Sequence, residues 1–184
     1  IRIPYYDEDQ KETMLNALIK HWQVASKLWK RKTATLPLQQ NQNSYSIYTS
    51  STDHVSGTVV TSTLGAAEAA AQTTLTITST TGMTAGDYIG IELDDATRQW
   101  ATISSVTNST TLIVSVALTG AAASGNSVIT YTSKIPRPLG VIQATLFDLS
   151  TGQEIELMPM THDEYFSIPL KTEAGYPTKF FYQE

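Results

Sequence analysis

Three histidines, two pairs of carboxylates and one basic cluster are the side chains of this chain whose types could do chemistry. His21, His54 and His162 lack H-x-x-x-H or H-x-H spacing, so the pattern places none of them to share a metal, and each reads as a structural histidine. Asp94 and Asp95 carry the charge of a calcium loop, but the glycine and the twelfth-position glutamate of such loops are missing, and a hairpin turn explains the pair better. Glu154 and Glu156 lie two apart on an expected strand and therefore on one face; paired glycosidase carboxylates also need a cleft, and nothing in the sequence signals one. No G-x-S-x-G, phosphate-loop or dinucleotide-binding pattern occurs. The expectation is a protein with no catalytic residue, no cofactor and no metal, and not an enzyme.

The basic cluster Lys27, Lys30, Arg31 and Lys32 admits two readings. Cations at the C-terminal end of a helix complement the negative end of its dipole on a solvated face. Repeated around a ring of copies, the same four charges would make a strong positive field facing DNA or an acidic protein. Charge is spread unevenly enough to allow this at the N-terminal end alone. Residues 1–35 carry seven basic and four acidic side chains, residues 36–133 carry Arg98 against six acids, and residues 134–184 carry four basic and seven acidic. The formal net charge of −5 argues against nucleic acid as partner of the whole surface.

The element that must position the cluster is a helix over residues 7–31. Asp7, Glu8 and Asp9 open it, the basic cluster closes it, and Leu15, Leu18, Trp22, Ala25 and Trp29 recur at spacings of three and four to make one apolar stripe. Two indoles on that stripe bring large contact areas that one helix cannot bury on itself, so Leu15, Leu18, Trp22 and Trp29 are candidate subunit-interface residues. Thr33, Thr35 and Leu36 suggest a short strand ended by Pro37. Tyr45, Ile47 and Tyr48 look strand-like, and 49–57 reads as a linker.

From about residue 58 to 133 the composition changes to Ala, Thr, Ser, Gly and Val, and the pattern becomes all-β. Strands are expected over 58–62, 74–77, 88–93, 99–106, 111–116 and 127–131, with turn signals at roughly ten-residue spacing, as in small barrels and sandwiches. Asp94-Asp95 and Asn108 close two hairpins. The Ala-rich stretches 66–71 and 121–123 read as loops or single turns, and LTGAAASGNSV partly echoes LGAAEAAAQTT, each ahead of a strand. After the stiff Lys134-Ile135-Pro136-Arg137-Pro138, a hairpin is expected across Leu149-Ser150-Thr151-Gly152. The T-x-x-E of Thr161 and Glu164 then caps a short helix that Pro169 stops, and a last strand covers 179–182.

The fold class expected is therefore α+β: an N-terminal amphipathic helix plus an antiparallel β scaffold, interrupted by an all-β small barrel or sandwich. The organisation expected is 1–48 for the helix and first scaffold strands, 49–133 for the inserted barrel, and 134–184 for the rest of the scaffold. A chain of 184 residues is long enough for such cores. Charged residues make up only 16 %, well below the usual quarter, as on extracellular and virion surfaces made soluble by hydroxyls and amides. Cysteine is absent, which excludes disulfides and thiolate metal sites. No apolar run reaches the ~18 residues of a spanning helix, so no membrane partner is expected. Starting on Ile and ending on a strand-like FFYQE, the chain reads as a processed or incomplete product.

The flanks carry a resemblance. MLNALIKHWQVASKLWKRKTATLPLQQNQNSYSI, followed by KIPRPLGVIQATLFDLSTGQEIELMPMTHDEYFSIPLKTEAGYPTKFFY, resembles the head-to-tail adaptor (connector, tail accessory or tail-tubular) proteins of short-tailed bacteriophages over about half the chain. The middle block looks like a small β-barrel carried by some of their members. The resemblance implies a homo-oligomeric ring, a dodecamer, under a portal protein in the neck and tail region of a virion. It also implies packaged double-stranded DNA passing through the channel and a downstream tail or nozzle protein docked below. The alternative reading is a tail-fibre, baseplate or surface module whose β insert recognises carbohydrate through Tyr88, Trp100 and Tyr131.

Overall fold

The computed structural model describes Met14, Asn16 and Ala17 and residues 32–40, 42–148, 151–169, 171 and 175–183. The chain divides into two units, Ile1–Thr33 and Ala34–Glu184. Of the first, Met14, Asn16 and Ala17 have helical backbone and are exposed; the helix expected over 7–31 otherwise lies outside the described residues.

In the second unit, alternation of Val, Ile and Thr with small polar residues builds six strands: β1 (Val60–Thr63), β2 (Thr74–Thr76), β3 (Tyr88–Glu92), β4 (Arg98–Val106), β5 (Thr111–Val114) and β6 (Ser127–Tyr131). They pair antiparallel in the order β1-β6-β3-β4-β5-β2. The sheet curls until its edges meet. An antiparallel bridge joins Leu64 to Ile77, the Gly65 amide donates to the Thr76 carbonyl and the Thr78 amide to the Thr63 carbonyl, each at 2.9 Å. Closure satisfies the backbone groups that open edges would leave unpaired. A register shift between Ile103 and Ser105 lets β4 bend with the curl.

The inward set is what strand parity selects. Leu75, Ile89, Ile91, Ile103, Leu112 and Val128 are sealed inside with Leu64 and Ile77. Each such side chain stabilises the fold by about 1.5–3 kcal/mol relative to exposure. Turn chemistry sets the register: the Asp95 carboxylate accepts from the Thr97 amide and hydroxyl at 2.9 and 2.6 Å, and Asn108 accepts from the Thr110 amide at 2.9 Å. The two segments that echo one another in sequence meet across one end of the barrel. Glu68 and Ala122 exchange both backbone hydrogen bonds at 2.8 and 2.9 Å, and neither Ala-rich stretch is helical.

Beyond the barrel, β7 (Ala144–Phe147), β8 (Glu154–Pro159) and β9 (Lys179–Phe180) form a second sheet. Its β7–β8 hairpin is antiparallel, but β8 and β9 run parallel, so the scaffold is a mixed sheet. The connection between β8 and β9 holds α1 (His162–Ser167), which carries the expected capping box. The Thr161 side chain accepts from the Glu164 amide, and the Glu164 carboxylate accepts from the Thr161 amide at 2.8 Å.

The α+β expectation is corrected. The chain is predominantly β, with 32 % strand and 6 % helix, and no N-terminal amphipathic helix is among the described elements. The physical reason is that the periodic segments of the second unit repeat with period two, apart from the one short capped helix. The stretch 33–48 also builds no strand. Thr35 makes one isolated bridge to Ser56, Pro37 cannot extend the ladder, and Tyr45–Tyr48 stays irregular.

Candidate functional site

Of the site residues expected from sequence, Lys27, Lys30, Arg31, Leu15, Leu18, Trp22 and Trp29 lie outside the described residues, and Lys32 is exposed in irregular backbone. The carboxylate pairs are turn and surface groups. Asp94 accepts from the Ala123 amide at 2.7 Å and the Asn126 amide group at 3.0 Å, and hydrogen bonds from Thr97 hold the Asp95 carboxyl below its ordinary range. Glu154 and Glu156 are exposed on one sheet face. Among the described residues no three His, Asp or Glu side chains converge as metal ligands, and no helix is long and apolar enough to cross a membrane.

His162, at the first turn of α1, is exposed with its ring 4.3 Å from that of Phe166. His54 is different. The segment 51–57, read as a linker, lies as a strap across the outer face of β3, β4 and β6. Parity that sends Ile89, Ile91, Ala101, Ile103 and Val128 inward sends Tyr88, Gly90, Trp100 and Tyr131 outward. The Trp100 ring lies over Gly90, its cross-strand partner, so closely that a Cβ on Gly90 would sit 2.8 Å from two indole carbons. On Trp100 rests the His54 imidazole, stacked at 3.7 Å with the planes 7° apart. Tyr88 and Tyr131 stack at 5.0 Å beside it, and the Tyr131 hydroxyl lies 2.5 Å from His54 Nδ1.

Charge completes the cluster. The Lys134 ammonium donates to the Ser51 carbonyl and sits 5.4 Å above the Tyr88 ring, a cation–π contact. Asp53 accepts from the Ser46 amide at 2.6 Å and the Gln42 side chain at 2.7 Å. Burial holds the His54 imidazole well below the ordinary histidine range, at about 4; Lys134 pushes the same way and Asp53 opposes. Burial raises the Tyr131 phenol and lowers the Lys134 ammonium. The ring is therefore neutral at pH 7, and with Nε2 carrying the proton the Tyr131 hydroxyl donates to Nδ1. The chemistry of the cluster is adhesion between a strap and a barrel.

A second feature belongs to 134–183, where none of the described side chains is buried. Ala144 and Leu146 of β7 face Leu157 and Ile155 of β8 on one side of the small sheet. Ile155 is 49 % exposed, as are Phe147 and Met158 at 51 % and 67 %, Phe166 at 55 % and Tyr176 at 81 %. Some aromatics do pair: Tyr165 stacks on Phe181 at 4.8 Å under Lys171, and the Tyr182 hydroxyl donates to the Pro138 carbonyl at 2.5 Å.

Sequence reasoning recognised Tyr88, Trp100 and Tyr131 as aromatics of the insert but not that a strap covers them. The available signal was their shared outward parity on a surface otherwise built of hydroxyls. Together these features define a class: a predominantly β protein with a closed barrel clamped at its neck and a smaller, apolar-faced sheet beside it in sequence. No protein-family model, curated protein or solved structure matches the chain.

Proposed function

We propose that this chain is a structural virion protein, a subunit of a head-to-tail adaptor ring that joins a portal to a tail and lengthens the DNA channel. The observation that carries this reading is the contrast between the two sheets. The barrel buries a full core and shows Val116 as its one large exposed hydrophobic among the described residues, whereas the described residues of 134–183 expose seven, of which Phe147, Ile155 and Met158 lie in the small sheet, and bury none. A small sheet persists in water only when an apolar face is covered, and exposed apolar patches mark interaction surfaces. The unfinished stretch is also one of the two whose motifs resemble the adaptor proteins. Heterologous contacts between identical copies close into rings. In this reading the partners are further copies, the portal, the downstream tail protein and packaged DNA. Leu15, Leu18, Trp22 and Trp29 then serve subunit contacts, and Lys27, Lys30, Arg31 and Lys32 face DNA or an acidic partner.

The carbohydrate-binding alternative has less support, because the aromatic face it requires is already engaged by His54. Two-dimensional class averages of the full gene product with its portal test the proposal directly. Closed rings are expected, and a monodisperse monomer in the presence of portal refutes it. In assembled particles, Lys30→Glu combined with Arg31→Glu lowers retention of packaged genome. Unchanged retention assigns the cluster to a solvated helix end.

A further inference from the structure

The barrel is joined to the rest of its unit by chain segments that are bonded side by side. Thr35 and Ser56 exchange backbone hydrogen bonds at 2.8 and 3.2 Å, the Ile135 amide donates to the Val55 carbonyl at 3.0 Å, and the Ser56 hydroxyl donates to the Ser133 carbonyl at 2.9 Å. These bonds hold the strap to the chain entering and leaving the barrel. What fixes the strap to the barrel wall is the His54 ring on Trp100 and Tyr131.

From His54 the contacts run outward without a break. Its neighbour Asp53 is bonded to Gln42 and Ser46, and Asn43 between them donates to the Lys171 carbonyl at 2.7 Å, beyond α1. Among these neck contacts the stacked imidazole is the one whose hydrogen bonding and charge a proton alters.

The groups facing that imidazole make it sensitive to a proton. Lys134 already places one cation in the aromatic box, and Tyr88 and Tyr131 supply phenol rings from β3 and β6. Trp100 adds no titratable group from β4, and the Asp53 carboxylate on the strap is committed to two donors. Protonation sets a second cation beside Lys134 and, in the tautomer with the proton on Nε2, turns Nδ1 from acceptor to donor and removes the acceptor of the Tyr131 hydroxyl.

We propose that the neck is a proton-operated latch whose bolt is the His54 ring. Neutral, it helps hold the barrel in one orientation to residues 139–183; protonated, it leaves Trp100 and the barrel moves against the segments 49–57 and 132–138, which stay bonded to one another. The depressed proton affinity of the ring agrees with this and sets the latch closed at neutral pH. The inference does not rest on the ring reading of the preceding section.

The absence of cysteine allows a clean test. Spin labels on Ser109→Cys in the barrel and Thr145→Cys in the small sheet, in full chains diluted into unlabelled chains, report the distance between the two parts by pulsed electron resonance. At pH 7 the wild type is expected to give one narrow distribution, which broadens roughly twofold or more near pH 3.5 as a second population appears. His54→Ala is expected to be broad at both pH values. His54→Phe keeps the stack but cannot take a proton, and is expected to stay narrow at both. A wild-type distribution unchanged in acid, or acid broadening in His54→Phe, overturns the latch. Circular dichroism of the same samples establishes that the barrel remains folded, and broadening that accompanies loss of its β signal also counts against the proposal.

Discussion

Gly90→Ala is the substitution whose cost can be worked from the geometry most directly. Gly90 needs no unusual backbone angle, so an added methyl would ordinarily help, by about 0.4–1 kcal/mol through the unfolded chain. Here the methyl lands 2.8 Å from two carbons of the Trp100 ring and 2.9 Å from the Arg98 Cδ. Carbon–carbon contact is comfortable at about 3.5–4.0 Å, so the indole must retreat by roughly 0.7–1.2 Å. It has little room, because His54 is stacked on it at 3.7 Å and the strap behind His54 is bonded on both sides. Overpacking of this kind costs about 1–3 kcal/mol, which leaves a net loss of up to about 2.6 kcal/mol, centred on about 1 kcal/mol. Urea unfolding followed by near-ultraviolet circular dichroism measures it. Gly140→Ala is the control: nothing lies within 4 Å of its added carbon, and its stability should be unchanged or slightly raised. In a Trp100→Leu background the Gly90→Ala penalty should fall by about 1 kcal/mol or more, since the clash has lost its partner. If Gly90→Ala is as stable as Gly140→Ala, the indole does not lie on Gly90 and the account of the neck fails with it.

Three further outcomes are expected. Leu75→Ala, at a position with no exposed surface opposite Leu112, should cost about 2–5 kcal/mol in urea unfolding, because the closed barrel cannot collapse onto the void. Acid should weaken the fold through His54. Its folded value is depressed, so the unfolded chain takes up protons first, and stability present above pH 6.5 is lost as pH falls toward about 4. Discounted for a half-exposed ring, the loss amounts to about 1 kcal/mol, and His54→Phe should lack it in denaturation curves run across that window. Thr161→Ala removes one side of the capping box and should cost α1 about 1 kcal/mol. Hydrogen exchange should then quicken at Glu164 and Tyr165 while the barrel amides stay protected.

The barrel was legible in the sequence because its signals agree at every level. β-Branched alternation marks the strands, Asp95 and Asn108 mark the turns, and parity alone selects Ile89, Ile91, Ile103 and Leu112 for the inside. The expected strand over 88–93 and the observed Tyr88–Glu92 differ by one residue, and Ser127–Tyr131 coincides with its expectation. The echo between the two Ala-rich stretches proved to be a pairing, since Glu68 and Ala122 bridge. The strap was not legible. Residues 49–57 have no period to read, and their order comes from single contacts to distant residues such as Tyr131 and Lys134, which no local pattern encodes. For the same reason Tyr45 looks like a strand residue but serves instead as a side-chain prop, its hydroxyl accepting from the Gln39 amide at 2.7 Å.

What the two parts need differs, and the neck decides how they act together. A barrel with closed edges and a complete core needs no other sheet to cover its apolar side chains. The small sheet has the opposite character: its apolar side chains are distributed as though their cover comes from elsewhere. If the insert hung on a loose tether, a symmetric assembly built through the small sheet would place its barrels at random, and their hydroxyl-rich surfaces could not act as a repeated array. With His54 seated on Trp100 and the contacts running on through Asp53, Gln42 and Asn43 to Lys171, each copy in such an assembly would present its barrel at the same angle. The order of a whole ring would then rest on a stacked pair of rings in each subunit, and loosening that pair should blur the barrels in averaged images while the ring beneath them stays sharp.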